Sequence, residues 1–291
     1  MAANGNPWDE YMIRLLVSDI DGTLVRTDKS LAPATVAEAR KLVAAGVPMS
    51  LISARPPSGI RWIAEELGLP GPFGAFNGGT LFTRDGTVVE RHGLDPDVAR
   101  GVIEQVGKAG ITCWVFADGS WYSNSADDPY NAREVKAANV QPVITQDFTA
   151  LLGRVDKIVG VSPDDHCLTA LAEAAREFAG VRATIARSQT YYLDVTAPQA
   201  NKGDGVSRIA AAFGVPLEEV AVLGDQANDL PMFARAGLSI AMGQATDEVK
   251  AHADHVTASS DDDGVAQAIE ALLNGDYAPG GAAALERRAP G

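Results

Sequence analysis

Short apolar runs alternate along this chain with segments of helical spacing. Residues 13–18 (IRLLVS), 48–53 (PMSLIS), 219–223 (EVAVL) and 238–242 (LSIAM) are apolar and of strand length. Strands buried on both faces read this way, as in a parallel sheet covered by helices. Between them, Val36, Ala39, Leu42 and Val43 recur at helical spacing over 34–45, and Gly46 supplies a stop. Ile60, Ile63 and Leu67 do the same before Gly68, and Ile209, Ala212 and Phe213 before Gly214. The alternation predicts right-handed crossovers and an α/β fold, a doubly wound, Rossmann-like parallel sheet.

The middle of the chain breaks that rhythm. Val98, Val102 and Val106 predict a helix, followed by strands at 111–117 and 120–124, a helix around 129–139 and a strand at 155–162. A helix after Pro163 carries Leu168, Leu171, Ala175 and Phe178, and strands near 181–187 and 190–196 close the region. This α+β grouping predicts a module inserted into the α/β domain. The expected division is a core of 12–84 and 195–274, an inserted module of 85–194, and disordered tails at 1–11 and 275–291. Thr83–Thr87 and Val195–Gln199 are the expected linkers.

Composition narrows the function classes. With 46% hydrophobic and 21% charged residues, the chain is neither disordered nor membrane-like. No apolar run approaches the roughly 18–20 residues that cross a bilayer, and MAANGNPWDE lacks the pattern of a secretory signal. The 38 acidic against 24 basic side chains, a net charge of -14, argue against a nucleic-acid partner. Two cysteines, Cys113 and Cys167, are too few for a disulfide framework and fit a reducing compartment. A cytoplasmic protein, monomeric or homodimeric, with a small-molecule substrate is the expectation.

The candidate chemistry lies where apolar strands end, the edge at which open α/β sheets bind ligands. Asp19-Ile20-Asp21-Gly22-Thr23 follows the first run, and Gly22 permits a sharp turn that re-aims the second carboxylate. Gly224-Asp225-Gln226-Ala227-Asn228-Asp229 follows another; Asn228 is placed to cap the next helix, with Asp229 in its first turn. Asp225 precedes the cap and has no such structural role. If both strands share a sheet, Asp19, Asp21 and Asp225 converge, and they cannot all stay ionised without a cation. Oxygen ligands at a phosphate site favour Mg²⁺. Ser53 ends the second run, a commonplace position for a serine. Lys202 starts a helix 23 residues before Asp225 and is within reach of the same edge, although a lone lysine is ordinarily solvated. No cysteine–histidine constellation or Walker-type loop is present.

Taken together, Asp19–Thr23, Ser53, Lys202 and Asp225–Asp229 resemble the four scattered motifs of the haloacid dehalogenase superfamily, in that family's order. The insertion between serine and lysine resembles the C2B cap of the Cof-type, subfamily IIB sugar phosphatases. Asn77-Gly78-Gly79 and Asp262-Asp263-Gly264-Val265 also resemble that branch, and the likeness spans about 12–274. Ser53-Ala54-Arg55 stands where the family more usually has Thr-Gly-Arg.

The resemblance implies a Mg²⁺-dependent phosphatase working through an aspartyl-phosphate. Asp19 would be the nucleophile and Asp21 the acid and base, with Ser53 and Lys202 on the phosphate. Asp19, Asp21 (through its carbonyl), Asp225 and Asp229 would serve the metal. Gly22, Thr23, Ser53, Arg55, Asn77, Gly78, Lys202 and Asn228 would line the substrate site. A phosphomutase or phosphotransferase would use the same pair of aspartates, and a non-catalytic phospho-binding protein would have no use for Asp21. Trp114, Trp121, Tyr122, Tyr191 and Tyr192 are aromatic candidates for a sugar-facing surface, with ordinary strand packing in the cap the expectation for most of them.

Overall fold

The computed structural model describes residues 13–277. Its central sheet has five parallel strands in the order His255–Val256, Leu238–Ala241, Val220–Gly224, Leu15–Ser18 and Met49–Leu51. All residues of the four longer strands are buried, which accounts for their unbroken apolar runs. Side chains alternate between two faces. Leu16, Ala221, Leu223 and Ile240 pack with residues of helices Pro33–Ala44, Pro57–Leu67 and Gly264–Asn274. Leu15, Val17, Val220 and Val222 pack with Val206 and Ile209 of helix Lys202–Phe213 and with Met232 and Val249. The chain leaves Leu15–Ser18 toward one side and returns on the other, so the strand order reverses at the end of the first strand.

The second strand passes, through a bridge from Ile52 to Gly74, to a small antiparallel sheet of Phe73–Ala75, Thr80–Phe82 and Val88–Arg91. Thr83–Thr87, expected as a linker, is instead the turn of this sheet's second hairpin. Asp85 accepts hydrogen bonds from the Thr83 hydroxyl at 2.5 Å and the Thr87 N–H at 3.0 Å. Asp-Gly here is turn chemistry within a sheet, not a boundary between modules.

A six-stranded sheet occupies the middle of the chain, in the order Thr184–Gln189, Tyr192–Thr196, Val155–Val161, Thr112–Ala117, Ser120–Ser123 and Val143–Ile144. All its pairs are antiparallel except the last. Val195 and Thr196 belong to it, so the second expected linker begins inside a strand. Gly180–Arg182 forms a 3-10 turn where the strand near 181–187 was expected to begin. Helices Pro96–Lys108 and Asp165–Ala179 cover one face, burying Val98, Val102, Leu168 and Leu171 against Cys113, Val115 and Leu193. Phe178, expected on that buried stripe, is 41% exposed and lies at its margin beneath Arg182.

The opposite face carries Trp114, Phe116, Trp121, Val159 and Tyr192, and these pack in one apolar cluster with Phe76 of the parallel domain. The second sheet therefore lies face-down over the first domain as a cap. Helix Asn131–Ala138 locks the two together. The Ser58 hydroxyl donates to the Ala138 carbonyl at 2.6 Å, and Lys136 Nζ donates to the Asp28 carbonyl at 2.9 Å. A Cβ at Gly59 would fall 2.4 Å from the Ala137 carbonyl, so this close approach needs a glycine.

The expected tails lie outside the described residues except for 275–277, which are ordered. Gly275 and Asp276 donate to Leu272 and Ala271, and the Tyr277 ring packs 4.6 Å from that of His255. Among the described residues no helix is long and apolar enough to cross a membrane.

Candidate active site

Asp19 extends the first strand, its N–H donating to the Leu223 carbonyl at 2.9 Å. The chain then folds back sharply: the N–H groups of Thr23, Leu24 and Val25 all donate to the Ile20 carbonyl. Gly22 makes the turn at φ +80, where a Cβ would lie 2.3 Å from Asp225 Oδ2. The residue is thus required twice, for its backbone angle and for the space it leaves beside a carboxylate.

Asp225 follows the strand Val220–Gly224, and Thr23 donates to its Oδ1 at 3.2 Å. The next loop is closed by Asp229, whose Oδ2 accepts the N–H groups of Asp225 and Gln226 at 2.9 Å each. Gln226, not Asn228, is therefore the cap, with Asp229 its reciprocal partner in a capping box. A 3-10 turn at Ala227–Asp229 precedes the helix and carries Asn228 past the capping position. Asn228 Nδ2 instead meets Asn77 Oδ1 at 3.4 Å.

Lys202 begins helix Lys202–Phe213, which is capped by Asn201 accepting the Asp204 N–H at 2.9 Å. Its side chain is 1% exposed and donates to Asp19 Oδ1 at 2.6 Å and Asp229 Oδ1 at 2.5 Å. Burial opposes its charge, but Asp19 and Asp229 outweigh that and hold its pKa above the usual lysine value. Ser53 is buried at the end of its strand, and its hydroxyl accepts the Arg55 N–H at 3.2 Å. Its carbonyl accepts the N–H of Asn77, which stands in left-handed backbone at φ 57. Gly78 packs against Gly205 so closely that a Cβ would lie 2.5 Å from the Gly205 Cα.

Asp21 points elsewhere. Arg55 grips it with Nε on Oδ2 and Nη2 on Oδ1, both at 2.7 Å, and Lys29 Nζ donates to Oδ1 at 2.7 Å. The guanidinium is itself anchored on the Gly59 carbonyl at 3.2 Å.

The two aspartates of the first motif consequently differ. Burial pushes the Asp19 carboxyl up to about 8, Asp229 and Asp225 push in the same direction, and Lys202 opposes them. Burial also acts upward on Asp21, but hydrogen bonds and charge from Arg55, together with Lys29, hold it well below the usual carboxylate range. Asp225 is raised by burial and by its neighbour Asp229.

Asp19, Asp225 and Asp229 each offer a carboxylate oxygen within a span of 4.8 Å, and all three are buried. Three hard oxygen donors, two of which are pushed toward higher pKa by burial and then by their neighbouring carboxylates, fit a small divalent cation such as Mg²⁺.

Three further residues stand at the site. Lys29 sits at φ 71 in the hairpin after the first motif, a backbone outlier visible only in the fold. Gln244 donates to the Gly22 carbonyl and accepts the Ser260 N–H at 3.1 Å. It follows the strand Leu238–Ala241, so the strand-end rule that found Asp225 could also have found it. Glu134 lies on the cap helix that abuts Arg55 at Gly59, where the charges of Asp21 and Arg55 act on its carboxyl, and no local pattern marks it.

A family profile described as haloacid dehalogenase-like hydrolase matches residues 16–269. A solved haloacid dehalogenase-like hydrolase from Bacteroides thetaiotaomicron is 28% identical, with a TM-score of 0.83 over 89% of this chain and 99% of that one. The HMP-PP phosphatase of Cronobacter sakazakii is 26% identical over 84% of this chain and 89% of its own length. A HAD subclass IIB sugar phosphatase superposes with a TM-score of 0.77 at 23% identity, covering 89% of this chain and 99% of that one. The chain is thus an enzyme of the haloacid dehalogenase-like hydrolase family.

Proposed function

We propose that this protein is a Mg²⁺-dependent phosphomonoester hydrolase acting on a small phosphorylated metabolite, a sugar phosphate in class, through an aspartyl-phosphate. The observation that supports this most directly is the pairing of a buried carboxylate, Asp19, with a buried cation, Lys202, beside two further carboxylates. The Asp21 carboxylate lies apart from them, on Arg55 and Lys29.

Asp19 attacks phosphorus and the ester P–O bond breaks. Asp21 gives its proton to the departing alkoxide, a poor leaving group without it. Water then attacks phosphorus as Asp21 takes its proton. The Asp19–phosphorus bond breaks, and inorganic phosphate leaves. Arg55 and Lys29 hold Asp21 in place between turnovers, and the incoming phosphate dianion offsets their charge, restoring proton affinity to the carboxyl. Ser53 and Lys202 bind the non-bridging oxygens, where electrostatic positioning does most of the work of phosphoryl transfer. Asp19, Asp225 and the Asp21 carbonyl would hold Mg²⁺, with Asp229 fixing the loop and Lys202 around them. When bound, the ion neutralises the repulsion between carboxylate and phosphate.

Phosphate release from p-nitrophenyl phosphate tests the reading. Wild type should be active with Mg²⁺ and inactive in EDTA, and Asp19→Asn inactive in either. Full activity of a folded Asp19→Asn protein would overturn the covalent route.

A further inference from the structure

The core-facing side of the cap sheet contains polar groups that the chemistry at Asp19 does not use. Tyr192, Asp194 and Thr196 alternate onto this side, as do Lys157 and Val159 of the neighbouring strand. Lys157 Nζ and Asp194 Oδ2 form an ion pair at 2.9 Å, with 9% and 8% of their side chains exposed. The second oxygen of that carboxylate, Asp194 Oδ1, and the Tyr192 hydroxyl are buried without a hydrogen-bond partner. Leaving such groups unpaired is destabilising, so they are ordinarily satisfied.

Helix Asn131–Ala138, which carries Glu134, abuts Arg55 at Gly59, where a Cβ would fall 2.4 Å from the Ala137 carbonyl and 3.3 Å from Arg55 Cβ. Lys157 Nζ stands over the Phe116 ring, which packs on Phe76, and the Phe76 N–H donates to the Arg55 carbonyl, so the ion pair stands on the same side. An alcohol accepting a proton from Asp21 would depart toward these residues. The cations there are already paired: Lys157 on Asp194, and Arg55 and Lys29 on Asp21. Arg133, the nearby cation, is exposed and occupied on the Tyr191 ring and hydroxyl.

We infer that Glu134 and Asp194 read the leaving group, accepting hydrogen bonds from its hydroxyls and rejecting any leaving group that carries a second anion. The inference rests on the phosphomonoesterase reading. A hydroxyl both donates and accepts, so it can satisfy Asp194 Oδ1 and the Tyr192 hydroxyl together. A carboxylate or second phosphate would enter against two carboxylates, with the buried cations Lys157 and Arg55 already paired.

The test uses pairs with the same carbon number and phosphate position whose anionic member carries a distal carboxylate in place of the aldehyde or alcohol carbon: glucose 6-phosphate against 6-phosphogluconate, erythrose 4-phosphate against 4-phosphoerythronate, and glycerol 3-phosphate against 3-phosphoglycerate. Wild type should favour the neutral member of its best pair by about tenfold or more in kcat/KM. Glu134→Gln and Asp194→Asn should each shrink that ratio about tenfold, the effect of about 1.4 kcal/mol of relieved repulsion. A merely structural role would lower both members alike and leave the ratio unmoved. Glu134→Gln lies on a partly exposed helix position and keeps the test sound if Asp194→Asn unfolds. A wild-type preference for the anionic member overturns the inference, as does a ratio that neither variant changes. So does turnover of p-nitrophenyl phosphate with no member of any pair. Failure to turn over p-nitrophenyl phosphate at all would instead strike the phosphatase reading, and this inference would fall with it.

Discussion

Replacing Lys202 by methionine keeps the length of the side chain and deletes its charge. Lys202 touches Asp19 at 2.6 Å and Asp229 at 2.5 Å, almost wholly out of water. At an effective dielectric of about 20 each contact carries about 6 kcal/mol of attraction, most of it offset by the cost of desolvating the ions. Removing one partner forfeits the attraction but leaves the carboxylates buried, and such deletions cost about 3–5 kcal/mol. The loss depends on pH. Asp19 is protonated in the folded protein up to about 8, so its charge is absent in acid and the lysine has less to neutralise. The deficit of Lys202→Met should therefore widen from pH 5 to pH 8.5. Urea denaturation of both proteins in EDTA across that range measures it, and addition of Mg²⁺ should return part of the stability by supplying the missing charge. Activity should fall about 100-fold or more, the usual consequence of removing one donor to a developing phosphoryl charge. Equal stability of the two proteins in EDTA at pH 8.5 would refute the picture of a cluster balanced by this one lysine.

Asp21→Asn should fold normally and lose about 100-fold to 10,000-fold in turnover of alkyl phosphates, the range of general acid–base catalysis, in steady-state kinetics. Gly22→Ala should weaken Mg²⁺ binding about 10–100-fold by isothermal titration, because the new Cβ would displace Asp225 from 2.3 Å. Glu134→Gln should stabilise the protein in alkali only. Burial first, and then Asp194 and Asp21 against Lys157 and Arg55, push the Glu134 carboxyl from 4.5 up to about 7. Its ionisation penalty is absent below about pH 4.5 and complete above about pH 7, where the variant should gain up to about 3 kcal/mol in denaturation experiments. No gain at pH 8 would contradict the placement of Glu134 beneath the cap.

What the sequence made legible follows from how local each signal is. Asp19, Ser53 and Asp225 end strands whose burial on both faces leaves an uninterrupted apolar run, so the ligand edge could be read from the chain. Lys202 could be placed at a helix start, but its burial between two aspartates depends on strands far away in sequence. Asn228 looked like a cap because its type and position suit one. The structure gives the task to Gln226, since a 3-10 turn precedes the helix and Asp229 closes a capping box with that residue. The Thr83–Thr87 turn was misread for a related reason: Asp-Gly marks a reversal of the chain without saying whether a hairpin or a module boundary follows. Among the aromatics, strand alternation separates Tyr122, which packs with the cap helices, from Trp114, Trp121 and Tyr192, which face the core.

Asp19 and Asp21 carry the same side chain two positions apart, and the fold drives their proton affinities in opposite directions. The difference begins with one turn. Gly22 at φ +80 and the three N–H groups on the Ile20 carbonyl bring the chain around so that Asp19 stays in the carboxylate cluster while Asp21 swings to Arg55 and Lys29. In the proposed reaction Asp19, as the nucleophile, would need nearby positive charge to stay deprotonated, and Lys202 supplies one such charge. An acid–base group must change state within each turnover. That requires its partners to be displaceable, and the contacts of Asp21 suit this because its side chain and that of Lys29 are about a third exposed, at 35% and 38%. Pairs of titratable groups with opposed environments are how one site runs both halves of a reaction at a single pH. Here that opposition is built from a glycine turn, an arginine and two lysines, and the cap that covers Asp21 adds Glu134 to the same electrostatic field.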